Sequence, residues 1–538
     1  MRPDNSRLVR GLALGIVPLL AFAACGSDGD SETGETGSEQ QVPLIFGTTE
    51  QFSEIDPAAS YDWPGSMLQI NIAQTVLEVP PGGNQPEPEI AESCEFEDPK
   101  TYTCKLKTGL KFSDGSTLDS ADVKFSMDRM IGIKHPEGPW SIWASSLESV
   151  EAPDPQTVIY HLKYADATWP MRLTYPGASI VPEGEYSATE IRKPSEGAIG
   201  SGPYKLTKFD PDQEIVLERN EYYKGDKEPI HDTVIIKPYP GSETGLKTAI
   251  EEGEIHVAHR TLNSTLIQDL EENGASKGVE VLQGEGTGIS YVVFNQTKGP
   301  FVEKAVRQAF AYLIDREKIA QDVYNGTVEP LYTMVPSAFE GQYNAFQEVY
   351  GEKPDPAKAE QVLRDAGVST PVKIQLWHDS GDHYGVESAD MYQEIERQLE
   401  SSGLFDVELK SAAWDRYSAD YPTGAYQAFQ LGWYPDFPDA DNYLSPFFET
   451  NNFMEKGQGY SDKQMDQLLA EERSTVELED RLPIFEQIQK KAAEDVPTLP
   501  IWEQKMVVAQ RKGVKGVERT IDAANQIRLW LIDATQAQ

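Results

Sequence analysis

An aromatic, acidic segment at residues 432–443 carries the side chains best suited to bind a charged ligand. Trp433 and Tyr434 precede Asp436, which places one carboxylate beside two large rings. A buried ammonium group needs a charge-assisted acceptor, and a carboxylate between aromatic walls supplies one. Two prolines and two further aspartates in the same segment also describe a solvated turn. Taken alone, the segment fits either a cation-binding site or such a turn.

The histidines and remaining carboxylates do not form a recognisable metal motif. The close histidine pairs are His256 with His259 and His378 with His383. The first pair is three residues apart in a predicted strand, so its side chains point to opposite faces and nickel bound directly by protein is disfavoured. Asp439 and Asp441 lack the glycine and distal glutamate of a calcium loop, and we expect them to cap a helix beginning near Tyr443. We therefore predict no metal ion and no cofactor.

Common enzyme motifs are missing from the sequence. It contains no Gly-x-Ser-x-Gly elbow, no His-Glu-x-x-His helix and no Gly-x-x-x-x-Gly-Lys-Ser/Thr loop. Paired carboxylates can cleave glycosides, so an enzyme is kept as the weaker alternative. We expect no catalytic residues.

The residues before Cys25 predict a secretory signal peptide and give this cysteine a role of its own. The first ten residues carry three arginines against one acid, and fourteen apolar residues follow. That run reaches only about 21 Å, short of the ~30 Å hydrocarbon core, and predicts a secretory signal peptide over residues 1–24. The order Phe-Ala-Ala-Cys ending at Cys25 resembles a bacterial lipobox, with Phe22 where leucine is usual. The resemblance implies that the cysteine is lipidated.

An ordinary signal peptide that ends in Ala21 and Ala23 is the alternative to lipidation. Residues 25–41 favour an anchor, because after Cys25 they contain only polar residues and glycine. Such a segment cannot bury enough apolar surface to offset its ordering entropy, so we predict a flexible tether. We expect a globular, extracytoplasmic body that begins near Val42, on the outer face of a bacterial cell membrane.

Length and charge limit the architecture and the partners of the chain. Of its 538 residues, roughly 500 follow the tether, which exceeds the ~250–300 at which one core stops growing. At least two lobes are therefore expected. The 47 basic and 88 acidic residues give a formal net charge of −41. Nucleic acid and anionic lipid surfaces require a positive face and are poor partners, whereas acidity favours solubility and could also favour cationic ligands.

Cys94 and Cys104 are the two cysteines other than Cys25. Alternating apolar character on both sides of residues 97–100 predicts a β-hairpin with these cysteines facing each other. Outside the cytoplasm the pair should be oxidised, which stabilises the fold by roughly 2–3 kcal/mol because it closes a short loop. No histidine stands at a ligand spacing beside the pair, so we predict a structural disulfide.

Hydrophobic patterns predict alternating strands and helices through the body. The predicted strands are residues 213–218, 233–237, 290–295, 372–377 and 406–410, and the predicted helices are residues 243–253, 301–314, 316–324 and 389–399. One apolar stripe of the 301–314 helix is formed by Val302, Val306, Ala309, Phe310 and Leu313. Asp315 is expected to cap the helix that follows it. The strand-helix-strand order favours an α/β fold with crossover connections.

Several motifs occur in order along the chain, at residues 102–115, 120–129, 200–204, 215–223, 294–301, 306–316 and 432–443. Together they resemble the family 5 extracellular solute-binding proteins, which are the dipeptide, oligopeptide and nickel receptors of ABC importers. The family pattern F-x-L-R-x-G-V-K-F-H-D-G is similar to the first motif, where Cys104 replaces the first aromatic residue and Ser113 replaces the histidine. Any one motif is weak, whereas the ordered set is specific.

The resemblance implies a two-lobe periplasmic-binding-protein-like α/β fold of type II, in its large three-subdomain form, with a hinge of two crossovers. The implied parts are lobe I (residues 42–286 and 504–538, with a subdomain near 73–195 inserted) and lobe II (residues 287–503). Pro497 and Pro500 are expected to mark the return crossover. Closure between the lobes would bury a ligand on all sides and form the surface that a permease recognises.

The resemblance also implies how a ligand is held in the 432–443 segment. In peptide-binding members, an aspartate shortly after a tryptophan takes the α-ammonium group of the ligand, and Asp436 holds that position here. Trp433 and Tyr434 would line the side-chain pockets. An extended peptide would bind by adding a strand to exposed backbone.

The remaining candidate site residues lie elsewhere in the chain. Arg416, in lobe II, is the expected partner of the ligand's C-terminal carboxylate. Tyr61 and Trp63 are expected to form the lobe I wall of the site, and core packing accounts for these two aromatic residues equally well.

The implied function is that of a lipid-anchored receptor that captures peptides and delivers them to the permease and ATPase subunits of an ABC importer. We expect a monomer that binds no nucleic acid and has no enzymatic activity. The alternatives on the same fold are a receptor for another solute, such as a nickel complex, another metallophore or an oligosaccharide, and a ligand sensor.

Overall fold

The computed structural model describes residues 42–260, 262–381, 383–451 and 455–538. The predicted signal peptide, the lipidation of Cys25 and the tether lie outside the described residues. Within these ranges, no helix has the length and apolar character needed to cross a membrane.

The secondary structure of the described residues is mixed. In chain order, the strands are β1 (Leu44–Thr48), β2 (Leu77–Glu78), β3 (Glu87–Pro88), β4 (Ala91–Asp98), β5 (Thr101–Leu106), β6 (Leu147–Asp154), β7 (Thr157–Leu162), β8 (Tyr204–Asp210), β9 (Glu214–Arg219), β10 (Thr233–Pro238), β11 (Val257–Ala258), β12 (Val279–Gly284), β13 (Ile289–Phe294), β14 (Val328–Pro330), β15 (Val372–Asp379), β16 (Phe405–Ala412), β17 (Ala428–Trp433), β18 (Thr498–Gln504) and β19 (Met506–Arg511). The helices are α1 (Trp63–Ile72), α2 (Ser120–Ile133), α3 (Ser141–Ala144), α4 (Trp169–Arg172), α5 (Glu243–Glu252), α6 (Ser264–Asn273), α7 (Lys304–Leu313), α8 (Arg316–Asp322), α9 (Ala345–Tyr350), α10 (Pro356–Asp365), α11 (Glu387–Ser401), α12 (Trp414–Asp420), α13 (Ser445–Phe448), α14 (Glu455–Gln458), α15 (Lys463–Ser474) and α16 (Leu478–Asp495).

Strand β1 lies in the middle of a seven-stranded sheet with the order β12-β19-β11-β1-β10-β9-β8. It is parallel to β10 and β11, and the other pairs are antiparallel. Leu44 and Phe46 of β1 are fully buried and share a core with Val234 and Ile236 of β10. Because β19 pairs with both β11 and β12, the C-terminal part of the chain completes a sheet that its N-terminal part begins.

A second large sheet has six strands in the order β14-β18-β13-β17-β15-β16. All six residues of β13 are buried, as expected for an inner strand with both faces covered. Strands β15 and β16 are parallel, and α11 connects them. The predicted spacing by four is confirmed, because Met391, Ile395 and Leu399 form the buried face of α11. The strand-helix-strand order predicted for this region is therefore confirmed.

A smaller antiparallel sheet has the order β4-β5-β7-β6. Cys94 and Cys104 stand directly opposite each other on β4 and β5 and form a disulfide, which confirms the predicted hairpin. Helix α2 lies beside this sheet, and Asp119 and Asp122 satisfy its first backbone donors as a reciprocal capping box.

Helix α7 begins later than the sequence pattern predicts. A 3-10 turn occupies Pro300–Val302, and the helix begins at Lys304. Val302 is therefore 54% exposed and its predicted place on the buried stripe is wrong. The other members of the stripe are buried as predicted. Pro300 fixes its own φ and favours the tight turn, which delays the helix by one turn. Asp315 caps α8 as predicted, because its carboxylate accepts from the Lys318 amide at 3.0 Å.

The chain passes between the two large sheets twice, from β12 to β13 and from β18 to β19. Pro497 and Pro500 do not mark the second passage, because Pro500 lies inside β18 and the connection to β19 is Lys505. The proline fits there because the register between β13 and β18 shifts beside its partner Tyr291. Proline is tolerated in a sheet at such an irregularity.

Candidate functional site

The carboxyl ends of β15, β16 and β17 meet at one edge of the six-stranded sheet, because β15 is parallel to both of its neighbours. Ligands of α/β proteins commonly bind beyond such an edge. Trp433 is the last residue of β17, so Tyr434 and Asp436 leave the sheet there. The fold thus presents residues 433–436 where open α/β sheets bind ligands.

The Asp436 carboxylate follows the six-stranded sheet and contacts Tyr61, which lies beside the seven-stranded sheet. Tyr61 Oη donates to Asp436 Oδ1, and Asn442 Nδ2 donates to Oδ2 at 3.4 Å. Tyr61 precedes α1, whose buried face packs in the core of the seven-stranded sheet. The Tyr61–Asp436 contact therefore joins the two sheet-bearing halves, through residues 375 apart in sequence. We call the region around this contact the intersheet site.

Asn442 holds the segment around Asp436 in shape. Its buried Oδ1 atom accepts from Trp433 Nε1 at 3.1 Å and from the Asp436 amide at 3.0 Å. These bonds fix the indole ring of Trp433 relative to the backbone of Asp436. This role of Asn442 was not predicted, because an asparagine in a loop is also typical of an ordinary turn.

The charge of Asp436 is stabilised by two hydrogen bonds and by the more distant charge of Arg172. Burial raises the pKa of its carboxyl above the usual value, and the hydrogen bonds from Tyr61 and Asn442 and the positive charge of Arg172 counteract that effect. In the part of the chain that the structure describes, no lysine or arginine forms an ion pair with this carboxylate. A buried carboxylate of this kind would be stabilised by an incoming cation.

Two tyrosine rings are exposed in the intersheet site, although most large aromatic side chains of the protein are buried. Tyr61 and Tyr434 are each 43% exposed. The Tyr61 ring packs edge-on against Tyr175, with ring centroids 6.2 Å apart, and Tyr434 Oη donates to Gln504 at the end of β18. Exposed aromatic surface rimmed by polar groups is typical of a binding site.

Arg260 lies between two of the predicted site residues, Trp63 and Tyr434. Its guanidinium carbon is 5.5 Å from the centroid of the Trp63 ring and 4.5 Å from that of Tyr434, within cation–π range. Trp63 also packs edge-on against His259, with centroids 5.3 Å apart, and contacts the core of the seven-stranded sheet. The position of Arg260 was not predicted, because a single arginine after the two-residue strand β11 belongs to no motif.

Asp439 and Asp441 are both buried beside the site, and Asp439 takes part in an ion pair. Arg481 donates to Asp439 through two bonds of 2.8 Å and to Glu472 at 3.0 Å. Asp439 caps a 3-10 turn at Ala440–Tyr443, and the short helix α13 begins at Ser445, near the expected start but after the capped turn. Among the described residues, no group of three or more His, Cys, Asp or Glu side chains is arranged to hold a metal ion.

Arg416 lies on α12, which follows the carboxyl end of β16. Its side chain is 77% exposed, and its guanidinium pairs with Asp420 one turn along the helix at 3.2 Å. The structure thus brings Tyr61 and Asp436 into direct contact and Trp63 and Tyr434 around Arg260, and gives Arg416 a separate ion pair on its own helix.

Further contacts join the two halves away from Asp436. Glu387 Oε1, at the start of α11, accepts from the Ser264 amide at 3.0 Å and from its hydroxyl at 3.2 Å, at the start of α6. Asn325 Nδ2 donates to the same hydroxyl at 3.1 Å. The Arg473 carbonyl accepts from the Ala167 amide at 2.7 Å. The two halves are therefore in contact at several points in this structure.

The sequence matches one family of known proteins. A model of the family described as "Bacterial extracellular solute-binding proteins, family 5 Middle" matches residues 85–455, which is more than half of the chain. The chain is 25% identical over 533 residues to the dipeptide-binding protein of Pseudomonas aeruginosa, covering 93% of this chain and 96% of that protein. It is 26% identical over 467 residues to the dipeptide-binding protein of Escherichia coli, covering 82% and 85%.

A solved structure has the same fold. It is the ABC transporter-associated periplasmic binding protein DppA from Helicobacter pylori, in complex with the peptide STSA. Its TM-score is 0.74 at 22% sequence identity, and the alignment covers 92% of this chain and 98% of that one. This likeness confirms the predicted α/β fold of the periplasmic-binding-protein type.

Proposed function

The chain belongs to the bacterial extracellular solute-binding proteins of family 5, and from that premise we propose that it is a receptor for short peptides. It is a binding protein rather than an enzyme, as its relatives are. A peptide ligand is supported by the names of two relatives, the dipeptide-binding proteins of Pseudomonas aeruginosa and Escherichia coli.

The observation that carries the proposal is the state of Asp436. Its carboxylate is partly buried, is held in place through Asn442 and has no ion pair with a lysine or arginine among the described residues. The α-ammonium group of a peptide would supply the missing positive charge through charge-assisted hydrogen bonds. On binding, the ammonium would compete with the Tyr61 hydroxyl for Oδ1. The rings of Trp433 and Tyr434 would then flank the first side chains of the peptide.

Ligand capture would occur by closure of two lobes. We place lobe I at residues 42–286 and 504–538 and lobe II at residues 287–503, with the two connections between the large sheets as the hinge. The Tyr61–Asp436 and Ser264–Glu387 contacts would form on closure, because each pair has one partner in each lobe. A ligand enclosed on all sides is desolvated, which strengthens its charged contacts.

We further propose where the receptor is located and which proteins it works with. Lipidation of Cys25 would tether a monomeric receptor to the outer face of the cell membrane, where it would deliver its peptide to the permease and ATPase subunits of an ABC importer. The name of the Helicobacter pylori structure, an ABC transporter-associated periplasmic binding protein, supports that partnership. A sensor would use the same binding site without a permease.

Native mass spectrometry of the purified protein tests the proposed ligand class. The spectrum recorded under native conditions gives the mass of any molecule bound to the protein, and denaturation then releases that molecule for identification by fragmentation. We expect peptides with free amino termini, all of about the same length. A single sugar, metal complex or haem recovered in their place would contradict the assignment to peptides.

A further inference from the structure

A buried network of charged side chains joins helices α15 and α16 to the turn that carries Asn442. Arg481 of α16 donates to Asp439 through two bonds of 2.8 Å. It also donates to Glu472 Oε2 of α15 at 3.0 Å and 3.2 Å. The side chains of Arg481, Asp439 and Glu472 are all buried, and that of Glu472 completely so. Because burial removes these groups from water, their charges have to be balanced within the protein.

Acids outnumber bases in this network. Four carboxyl groups face two guanidinium groups in it, and the six residues are Asp439, Asp441, Glu449, Glu472, Arg473 and Arg481. Arg172 of α4 adds a more distant positive charge that acts on Asp441. Ionisation of every acid would thus leave two carboxylate charges without a guanidinium partner in the network. Where two buried carboxyl groups meet, one of them commonly keeps its proton.

Glu472 has one carboxyl oxygen that no ordinary donor reaches. Oε2 accepts both bonds from Arg481, whereas the buried Oε1 has no N–H or hydroxyl donor among the described residues. The carboxyl group of Asp441 lies within hydrogen-bond reach of Glu472. Two ionised carboxylates cannot form such a bond, because neither has a proton to donate. A proton on Glu472 Oε1 would give that oxygen a partner and make the contact with Asp441 attractive.

The surroundings of the two acids favour a proton on Glu472 rather than on Asp441. Burial and the charge of Asp441 raise the pKa of Glu472 well above its usual value, and Arg481 counteracts only part of this effect. Burial also raises the pKa of Asp441, but the charge of Arg473 and hydrogen bonds to its carboxylate bring that pKa below the usual value. Acids coupled in this way titrate as a pair.

The same network supports the turn that shapes the ligand segment. Asp439 Oδ1 accepts from the Asp441 amide at 2.8 Å and caps the 3-10 turn Ala440–Tyr443. Asn442 lies in that turn, and its side chain accepts from the Asp436 amide at 3.0 Å. The position of the Asp436 carboxylate therefore depends on the turn, and the turn depends on how Asp439 and Asp441 are held.

We propose that Asp441 and Glu472 share one proton, and that this proton keeps the ligand segment in its binding shape, so that peptide affinity falls when alkaline pH removes it. Loss of the proton to solvent would leave two carboxylates in contact. The new charge on Glu472 would also compete with Asp439 for Arg481. The turn would then shift, and Asp436 would move with it. The effect on affinity rests on the proposed function, whereas the shared proton itself does not.

Urea denaturation tests the shared proton without any ligand. Glu472→Gln keeps the shape of the protonated acid and its bonds to Asp441 and Arg481, but it has no proton to lose. Glutamate has a pKa of about 4.3 in an unfolded chain, so above that pH unfolding of the wild-type protein releases the proton and its stability falls as the pH rises.

The expected result is a difference in pH dependence between the two proteins. From pH 5.5 to pH 7.5, the unfolding equilibrium constant of the wild-type protein should rise by at least about tenfold more than that of Glu472→Gln. The limit for one proton over this range is about 100-fold. An equal pH dependence of the two proteins would overturn the proposal, because Glu472 would then be ionised in the folded state.

Calorimetric titration with Ala-Ala tests the effect on the ligand segment. The affinity ratio of the wild-type protein to Glu472→Gln is measured at pH 6.5 and at pH 9, which cancels titration of the peptide's own amino group. We expect the ratio to fall by at least about fivefold at the higher pH. A constant ratio would overturn the link between the proton and the site. Failure of the wild-type protein to bind Ala-Ala at pH 6.5 would instead refute the proposed function, and denaturation would still decide whether the proton is shared.

Two further variants keep the test decisive if Glu472→Gln folds poorly. Asp441→Asn removes the partner charge, so Glu472 should ionise near its ordinary pKa and the pH-dependent loss of stability should disappear as well. Persistence of that loss in Asp441→Asn would overturn the sharing of the proton. Glu471→Gln, at the exposed neighbouring position on α15, is the matched control and should behave as the wild-type protein in both experiments.

Discussion

At the scale of single residues, the intersheet site contains two opposite charges that the described protein compensates incompletely. Asp436 is a carboxylate with hydrogen bonds but no ion pair among the described residues, and Arg260 is a guanidinium that contacts Tyr434 and has its ion-pair partner, Glu50, 3.7 Å away. Incompletely paired charges cost folding free energy. They therefore fit a ligand that supplies the missing partners better than a purely structural role.

Asp436→Asn removes the charge and keeps the size of the side chain. We expect free-amine peptides to bind this variant more weakly by about 2–4 kcal/mol, because the ammonium loses its charged acceptor. The thermal midpoint of the ligand-free protein should change little, since Tyr61 can still donate to an amide oxygen. Titration calorimetry with Ala-Ala measures the affinity and differential scanning fluorimetry the midpoint. Retained affinity together with a large drop in the midpoint would make Asp436 a structural residue.

His259 links the stability of the protein to pH. Burial lowers the pKa of its ring from 6.5 to about 4, so the folded state keeps it neutral. Between these two pKa values the unfolded state binds more protons, and stability therefore falls as the pH falls through this window. Between pH 7 and pH 5 this group should remove about 2 kcal/mol from the unfolding free energy.

Urea denaturation of the wild-type protein and of His259→Gln at the two pH values measures that contribution. The variant should lack about 2 kcal/mol of the pH-dependent loss, whatever its stability at pH 7. An identical loss in both proteins would mean that His259 is protonated in the folded state.

At the scale of elements, the hairpin β4-β5 is part of the small antiparallel sheet and carries its disulfide. Replacing both Cys94 and Cys104 by serine opens the disulfide. We expect the free energy of unfolding to fall by about 2–3 kcal/mol, because the unfolded chain is no longer constrained by a short loop. Peptide affinity should stay within about twofold, since the hydrogen bonds found for Asp436 in the described residues are to Tyr61 and Asn442 and not to the hairpin. Chemical denaturation and calorimetry measure the two quantities, and a large loss of affinity would place the hairpin at the site.

Local sequence patterns predicted those elements whose own residues decide their structure. Helix α5 begins at the predicted Glu243 and buries the expected Leu246, Ala249 and Ile250, and the cysteines pair as expected across a hairpin. The hydrophobic pattern gave a wrong prediction where a neighbouring proline sets the backbone conformation. Val302 has the right spacing for the buried stripe of α7 but is held in a 3-10 turn.

The strand around Pro500 is a second case in which the local sequence is not sufficient, because strand pairing decides whether the proline fits. A proline between Leu499 and Ile501 predicts a break in the strand. Pro500 nevertheless lies in β18, an inner strand of the six-stranded sheet. The irregular register opposite Tyr291 accommodates it, and that register is a property of the paired strands rather than of either sequence alone.

At the scale of the whole molecule, the site exists only because distant segments meet. The segment with Asp436 was predicted as a ligand segment from its own residues and from the family resemblance. Its partner Tyr61 is 375 residues away, and Arg260 contacts Tyr434 from a third segment. Sequence spacing carries no information on such contacts, which is why the position of Arg260 beside Tyr434 was not predicted.

Glu387 tests whether contacts outside the ligand site stabilise the closed arrangement. Glu387→Ala removes the two hydrogen bonds from Ser264 that join the halves. We expect peptide dissociation to become roughly three- to tenfold faster, because the closed form loses a charge-assisted contact. Val386→Ala, at the exposed neighbouring position, is the control and should leave the rate unchanged. Stopped-flow release of a labelled peptide measures both rates, and equal rates in the two variants would count against a role in closure.

The central claim is that this protein holds a peptide by its ammonium group on Asp436. The most direct measurement is a pair of calorimetric titrations of the wild-type protein, one with Ala-Ala and one with N-acetyl-Ala-Ala. We predict binding of the free-amine dipeptide and a loss of at least 30-fold in affinity on acetylation, which corresponds to about 2 kcal/mol. Equal affinity for the two peptides would contradict the role of Asp436, and binding of neither would contradict a dipeptide ligand.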